Sequence, residues 1–423
     1  QYGTAMAASV KKEEEINQNI ATAERTGGII EPLPKLQWFI DVNKKISSRE
    51  NKSLKELMLE PVREKKIKII PEHFEKVYFN WIENLRDWCI SRQIWYGHRI
   101  PVWYHEPICI PKKGKEGLIS KCIETVVSIE KPVCEYCDAS YVQDGDTLDT
   151  WFSSGLWTFS TLGWPNKTKD LTTYHPTTML ETGHDLIFFW VARMILMSQY
   201  LLGEIPFQNV YFHGIVRTAD GKKMSKSLGE KAIDPLDIIA KYSNDALRMA
   251  MIIGNTPGND LKLNENDIRG YGKFTNKVWN ASRFVIQQTK DLDIKNLPTL
   301  DEEDKKNDEE LKNLVREISK EMNEFRFSIV AEKLYHYFWH TFADILIERS
   351  KKKILPARNA SGIADAGGEN KNSDSAKALL FTHLITLLKV LHPFIPFITE
   401  EVWSLLPTEN KKLLMVEKWP NDN

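Results

Sequence analysis

The chain has no excess of charge of either sign: 57 Lys and Arg stand against 58 Asp and Glu, a net charge of −1 over 423 residues. Global charge therefore announces no nucleic-acid partner, and any such surface must be a local patch. Cysteine is scarce. Five residues, an odd number without small-scaffold spacing, exclude a secreted disulfide framework and point to a reducing cytoplasm. No uninterrupted apolar run reaches the ~18 residues of a membrane span. The most apolar stretch, LIFFWVARMILMSQYLL, is broken by Arg193 and reads as a buried core helix. No signal peptide and no internal repeat stand out, and the first residue is Gln, so the chain is expected to begin mid-protein.

What is present is enough apolar sequence, 42% with 13 Trp, for two or three domains with real cores. Residues 1–30 are polar and weakly patterned. Between 172 and 262 a helix pattern (Asp185–Leu202), a strand (Val210–Val216) and a second helix (Pro235–Ile252) alternate. That order predicts an α/β unit with a parallel sheet. Beyond residue 265 apolar residues recur at three- and four-residue spacing, over Leu311–Lys353 and Ala376–Leu406, which predicts an almost purely helical region. The acidic run 301–310 reads as a solvated loop leading into a helix, and the Gly-, Ser- and Asn-rich segment near 357–376 as a flexible insertion.

Chemistry concentrates in HGIVRTADGKKMSKSLGEKAIDPLD. Here Lys223, Ser225, Lys226 and Ser227 follow an apolar strand pattern. Lysine ammoniums act as mobile point charges on phosphate oxygens, and serine hydroxyls and loop N–H groups add donors. Upstream lies ETGHDLIFFW. Gly183 at a strand-to-helix junction permits close ligand approach, and Asp185 near a helix start can accept hydrogen bonds from a ribose or an ammonium. With His213 and Gly214 at the end of the intervening strand pattern, the order is that of a doubly wound sheet lining a nucleotide crevice at its carboxyl ends. A CxxC at Cys134 and Cys137 is half of a zinc knuckle; His105 and Cys109 are the candidates for the other two ligands, with Cys122 in reserve. The alternative is free thiols on a loop.

The lysine loop resembles the second signature of the class I aminoacyl-tRNA synthetases. NWIENLRDWCISRQIWYGHRIPVWY, DTLDTWFSSGLWTFSTLGWP, TGHDLIFFWVARMI and KVWNASRFV resemble, more particularly, the valyl-tRNA synthetases, over nearly everything from Thr26 to Pro420. The resemblance implies the second half of a Rossmann-like doubly wound parallel sheet with inserted connective elements (36–264), after a remnant of the editing insertion (1–35). A helical anticodon-binding domain (265–423) would follow. It implies ligation of L-valine to tRNA(Val) with ATP and Mg2+ through valyl-adenylate, in a cytoplasmic, monomeric enzyme, with structural Zn2+ in some members. An isoleucine-type ligase and a non-catalytic tRNA-binding fragment are the alternatives.

Carried over residue by residue, Lys226 would be the main ATP-phosphate lysine with Lys223 in support, and Ser225, Ser227, Gly183, His213 and Gly214 would complete the adenylate site. Asp185 would meet the valine ammonium, and Trp151, Leu186 and Trp190 would wall the side-chain pocket. Leu186 stands where isoleucine is usual and His184 where an aromatic is expected. The family's first signature, a HIGH-type motif, occurs nowhere in the sequence, and neither the editing domain nor a C-terminal coiled-coil arm is recognisable. The chain by itself is therefore expected neither to activate valine nor to edit, and to leave an unpaired strand edge.

Overall fold

The computed structural model describes residues 19–23, 26–31, 34–107, 109–218, 220–224, 234–354, 371–407 and 412–420. Two compact units are present, one formed by residues 1–42 with 86–150, the other by 43–85 with 151–423. No helix among the described residues is long and apolar enough to cross a membrane.

The smaller unit is built on short antiparallel pairings. Val102–His105 is the central strand of a three-stranded sheet, flanked by Thr125–Val127 and Tyr141–Gln143. Phe39–Ile40 pairs with Trp88–Cys89, and Ser91–Arg92 with Thr147–Leu148. Strands of two to four residues cannot bury much apolar surface, and the side chains at its centre are Cys134, Cys137 and Tyr141, all buried.

The larger unit opens with helix α1 (Leu54–Arg63), started by a capping box in which the Ser53 hydroxyl and the Glu56 carboxylate satisfy each other's backbone N–H. Strand β1 (Lys68–Ile70) and helix α2 (Phe74–Glu83) follow. The two long strands are β2 (Thr177–Gly183) and β3 (Phe207–His213). They run parallel, Gly183 opposite His213, with β1 parallel on the far side of β3. As the middle strand β3 buries Phe207, Val210 and Phe212, the apolar content of a strand covered on both faces.

Between β2 and β3 the chain winds unevenly. A 3-10 turn (His184–Leu186) passes into a π-helical turn (Ile187–Val191) and then into α3 (Ala192–Leu201). The apolar stretch is the buried helix expected of it: Met194, Ile195 and Leu196 are buried, and Arg193 is accommodated with its guanidinium 4.9 Å from the Phe188 ring centroid. After β3 the short strands β4 (Val216–Arg217) and β5 (Leu261–Lys262) pair in parallel. The single helix expected over Pro235–Ile252 is two, α4 (Pro235–Lys241) and α5 (Asn244–Ile252), because Ser243 leaves helical geometry and its hydroxyl caps the Ala246 N–H.

From α6 (Glu265–Gln288) onward the structure is helical. Helices α7 (Glu302–Asn323), α8 (Phe327–His336), a π-helical stretch Tyr337–Ile347, α9 (Glu348–Ile354), α10 (Lys371–Leu391) and α11 (Pro396–Leu405) complete it. Phe274, Val278, Ala281 and Val285 on α6 and Leu380, Leu384, Leu387 and Leu391 on α10 meet in one buried core, each set at helical spacing. The acidic run is not a loop: Asp301 caps the N–H of Asp304, and acidic residues fill the first turn of α7, where carboxylates are favoured. Residues 371–376 of the expected insertion begin α10, and 357–370 lie outside the described residues.

Helix α5 carries the bundle directly. The Asp245 carboxylate, buried, accepts the N–H groups of Phe397 (3.2 Å) and Ile398 (2.7 Å), and Arg248 donates to the carbonyls of Pro393 (2.8 Å) and Phe394 (3.1 Å).

Candidate active site

Strands β2 and β3 end side by side, and Gly183, Asp185, His213 and Gly214 lie at or just beyond their carboxyl ends. Gly183, buried, is the last residue of β2. A Cβ there would stand 2.7 Å from Asp185 Oδ1, so a larger residue would push that carboxylate from its present position. Asp185, on the 3-10 turn, is exposed and places Oδ2 3.3 Å from Lys223 Nζ. His213 ends β3 with Nε2 3.3 Å from a Glu181 carboxylate oxygen and Nδ1 2.7 Å from the Gly214 carbonyl. At Gly214 a Cβ would fall 1.7 Å from the Asn259 carbonyl oxygen. No side chain fits between these two segments.

The lysine loop grows out of β4. Met224 N–H bonds the Val216 carbonyl at 3.0 Å and Thr218 N–H the Lys222 carbonyl at 2.9 Å, so Lys223 is held opposite Arg217 in a bridge. Ser225, Lys226 and Ser227 lie outside the described residues. The structure thus brings Lys223 and Asp185 together beside Gly183, His213 and Gly214.

The three expected pocket walls sit on elements joined at the π-helical turn. Trp190 Nε1 donates to the Ser154 carbonyl at 3.1 Å, tying the turn to the helix Thr150–Gly155, and its ring lies 5.9 Å from that of Trp157. Trp151 faces Phe189 at 6.0 Å. Leu186 is half-buried on the 3-10 turn. A π-bulge at this point places consecutive aromatics Phe188, Phe189 and Trp190 on different sides of one turn, a feature frequent at functional sites.

In the smaller unit His105, Cys122, Cys134 and Cys137 offer ligand atoms all within 4.8 Å of one another. His105 Nε2 is 3.1 Å from Cys137 Sγ, and Cys122 and Cys134 sulfurs are 3.6 Å apart. Cys109, expected as the fourth donor, lies outside this group with its sulfur 3.8 Å from His105 Nδ1. Cys122 reaches the group just before the strand Thr125–Val127, whose pairing with Val102–His105 local spacing does not display. Burial pushes the Cys122 thiol up to about 12. Burial also raises Cys134, but the N–H groups of Tyr136 and Cys137, with His105, outweigh it and bring the thiol down to about 6. A tetrahedral zinc with sulfurs at ~2.3 Å separates its ligand atoms by about 3.8 Å, so this cluster is a donor set of suitable chemistry and size.

One participant escaped sequence reasoning. Asp260, just before β5, accepts the Ile215 N–H at 2.8 Å and pairs with Arg217 Nε, while His184 Nε2 stands 3.4 Å from the same carboxylate. The Ile215 N–H first, and then Arg217, hold its carboxyl down at about 2. The β4–β5 pairing brings Asp260 to Ile215 and Arg217, which are distant in sequence, so no local motif could have signalled it.

Residues 2–264 match the family described as tRNA synthetases class I (I, L, M and V), and residues 304–423 one described as the anticodon-binding domain of tRNA ligase. The chain belongs to the class I tRNA synthetases, with that family's parallel-sheet catalytic domain and a helical anticodon-binding domain. Within the family it is similar to valine–tRNA ligases. It is 42% identical to that of Clostridium tetani over 97% of this chain and 43% of the relative, and 40% identical to the chloroplastic/mitochondrial enzyme 2 of Arabidopsis thaliana over 98% and 42%. The chain spans less than half the length of these relatives. Among solved structures, methionyl-tRNA synthetase of Mycobacterium tuberculosis bound by methionyl-adenylate superposes with TM-score 0.63 at 12% identity, covering 91% of this chain and 65% of the other. A leucyl enzyme of Agrobacterium radiobacter in a ternary complex with tRNA gives 0.59 at 18%, covering 82% and 44%. These two support the fold alone.

Proposed function

We propose that this chain supplies part of the catalytic machinery of a valine–tRNA ligase: activation of L-valine by MgATP to valyl-adenylate, then transfer of the valyl group to the 3′ end of tRNA(Val). The observation that carries the reading is the meeting of Asp185 and Lys223, 3.3 Å apart, beside Gly183 and Gly214 at the carboxyl ends of two parallel strands. That is where an open α/β sheet binds nucleotides. The similarity to valine–tRNA ligases near 40% identity supports the choice of amino acid.

In this reading the Asp185 carboxylate takes the valine ammonium, releasing Lys223 to the phosphates. Trp151, Leu186 and Trp190 wall a pocket for a small branched side chain. The valine carboxylate attacks the α-phosphorus, the bond to the β-phosphate oxygen breaks, and pyrophosphate leaves. Lys226, with Lys223 and the hydroxyls of Ser225 and Ser227, meets the charge developing on that leaving group, a contribution strongest in the transition state. His213 and Gly214 flank the base. The division follows: residues 36–264 as catalytic half with the knuckle inserted, 265–423 as the part that receives tRNA, in a cytoplasmic monomeric ligase.

The cluster of His105, Cys122, Cys134 and Cys137 would hold a structural zinc that ties the Cys134–Cys137 loop to the sheet of the smaller unit. Metal analysis of the purified chain is expected to give one zinc, lost in Cys122→Ser and retained in Cys109→Ser. For the ligation itself, Lys226→Ala in the complete ligase is expected to lower valine-dependent pyrophosphate exchange by roughly a hundredfold or more, with tRNA affinity kept. Loss of tRNA binding with exchange intact would reverse the roles assigned.

A further inference from the structure

We infer that Asp260 is a positioning residue which, through Arg217 on one side and His184 on the other, fixes the root of the lysine loop against the turn that carries Asp185. The inference rests on the ligase reading for what the loop does, but its geometry stands independently.

Asp260 is placed by backbone alone. Gly258, at φ +78°, turns the chain so that its N–H bonds the Phe212 carbonyl of β3 at 2.8 Å, and no side chain is tolerated there because Phe74 Cε2 would lie 2.6 Å from a Cβ. Two residues later the carboxylate reaches across β4. One oxygen takes the Ile215 N–H at 2.8 Å; the other takes Arg217 Nε. Arg217 in turn donates from Nη1 to the Gly221 carbonyl at 3.2 Å, closing the turn that precedes Lys223. The turn that leads into the loop is therefore held by one guanidinium, and that guanidinium is aimed by one carboxylate.

The other arm explains His184, which stands where the resemblance leads one to expect an aromatic. Its ring stacks on Phe74 at 5.6 Å and 14°, which an aromatic would also do. Unlike a phenylalanine, it reaches Asp260 Oδ1 with Nε2 at 3.4 Å. Its neighbour Asp185 carries the carboxylate that meets Lys223. A closed path of Asp185, His184, Asp260, Arg217 and Lys223 thus sets the distance between the ammonium-binding carboxylate and the phosphate-binding loop.

A carboxylate has two acceptor oxygens and an amide has one, so Asp260→Asn must leave either the Ile215 N–H or Arg217 without its acceptor while keeping size and shape. Amide hydrogen exchange on the full chain reads the result. Asp260→Asn is expected to speed exchange at Ile215 and Met224 by roughly ten- to a hundredfold, with the β3 amides unchanged. His184→Phe, which keeps the stack, should move the same amides only a few-fold. In the complete ligase Asp260→Asn should raise the KM for ATP with the KM for valine unaltered, a split that a merely structural role would not produce. Unaltered exchange at Ile215 and Met224 would overturn the latch, and so would faster exchange with an unaltered KM for ATP. If the wild-type ligase showed no valine-dependent pyrophosphate exchange, the ligase reading would fall while the hydrogen-exchange result still reported on the latch.

Discussion

Two acidic clusters in the larger unit are built in opposite ways. At the crevice, among the described residues, Asp185 and Lys223 form an ion pair with both side chains about half exposed, 45% and 58%. At the start of α7 Asp304 is 1% exposed. It bonds Arg349 Nη2 at 2.9 Å and the Ser375 hydroxyl at 2.7 Å, with Lys353 Nζ at 3.5 Å. Ser375 also takes the Asp301 N–H at 2.9 Å, and Lys353 pairs with Asp301 at 3.0 Å. The buried carboxylate has its acceptors filled by the protein itself; the exposed one is open to solvent. A charge closed off on all sides can only hold helices together, whereas a charge with one loose partner is ready to exchange it for a ligand.

That contrast can be broken at several points. Asp304→Ala leaves Arg349 only its pair with Glu303 and takes the acceptor from the buried Ser375 hydroxyl, and is expected to destabilise the chain by about 2–3 kcal/mol in denaturant unfolding. Next comes pH. His383 on α10 is fully buried, stacked on Phe342 at 6.2 Å, and burial lowers it from 6.5 to about 4. Its folded value lies below its unfolded one, so the unfolded chain binds the extra proton. Stability present above pH 6.5 should fall as pH drops toward 4, by about 3 kcal/mol. His383→Leu should flatten that slope. Smallest is Lys223→Ala, which should change unfolding free energy by no more than about 0.5 kcal/mol, yet weaken ATP use in the complete ligase. A large stability loss there would erase the distinction between the two clusters.

Much of the α/β part was readable from the sequence because its signals are local. Strand patterns ending at Gly183 and at His213, followed by a polar lysine loop, need only period-two apolar spacing and glycine. The helical region was readable as such, but the start of α7 was not, since a run of acids resembles a solvated loop unless Asp301 is recognised as a cap and Asp304 as buried. What escaped depended on pairings between distant segments. Cys122 joined His105, Cys134 and Cys137 across a distance in sequence, Asp260 met Arg217 through the β4–β5 pair, and Ser243 divided a helix that apolar spacing alone would carry through.

The contacts of α5 have one more effect. Asp245 and Arg248 grip the turn 393–398 from its donor side and its acceptor side at once. A swing of the bundle about that turn would rupture four hydrogen bonds together, so the joint behaves as a splined shaft, free of play. Torque applied to the bundle would thus be delivered to α5, and from there to the strand pair at the foot of the lysine loop.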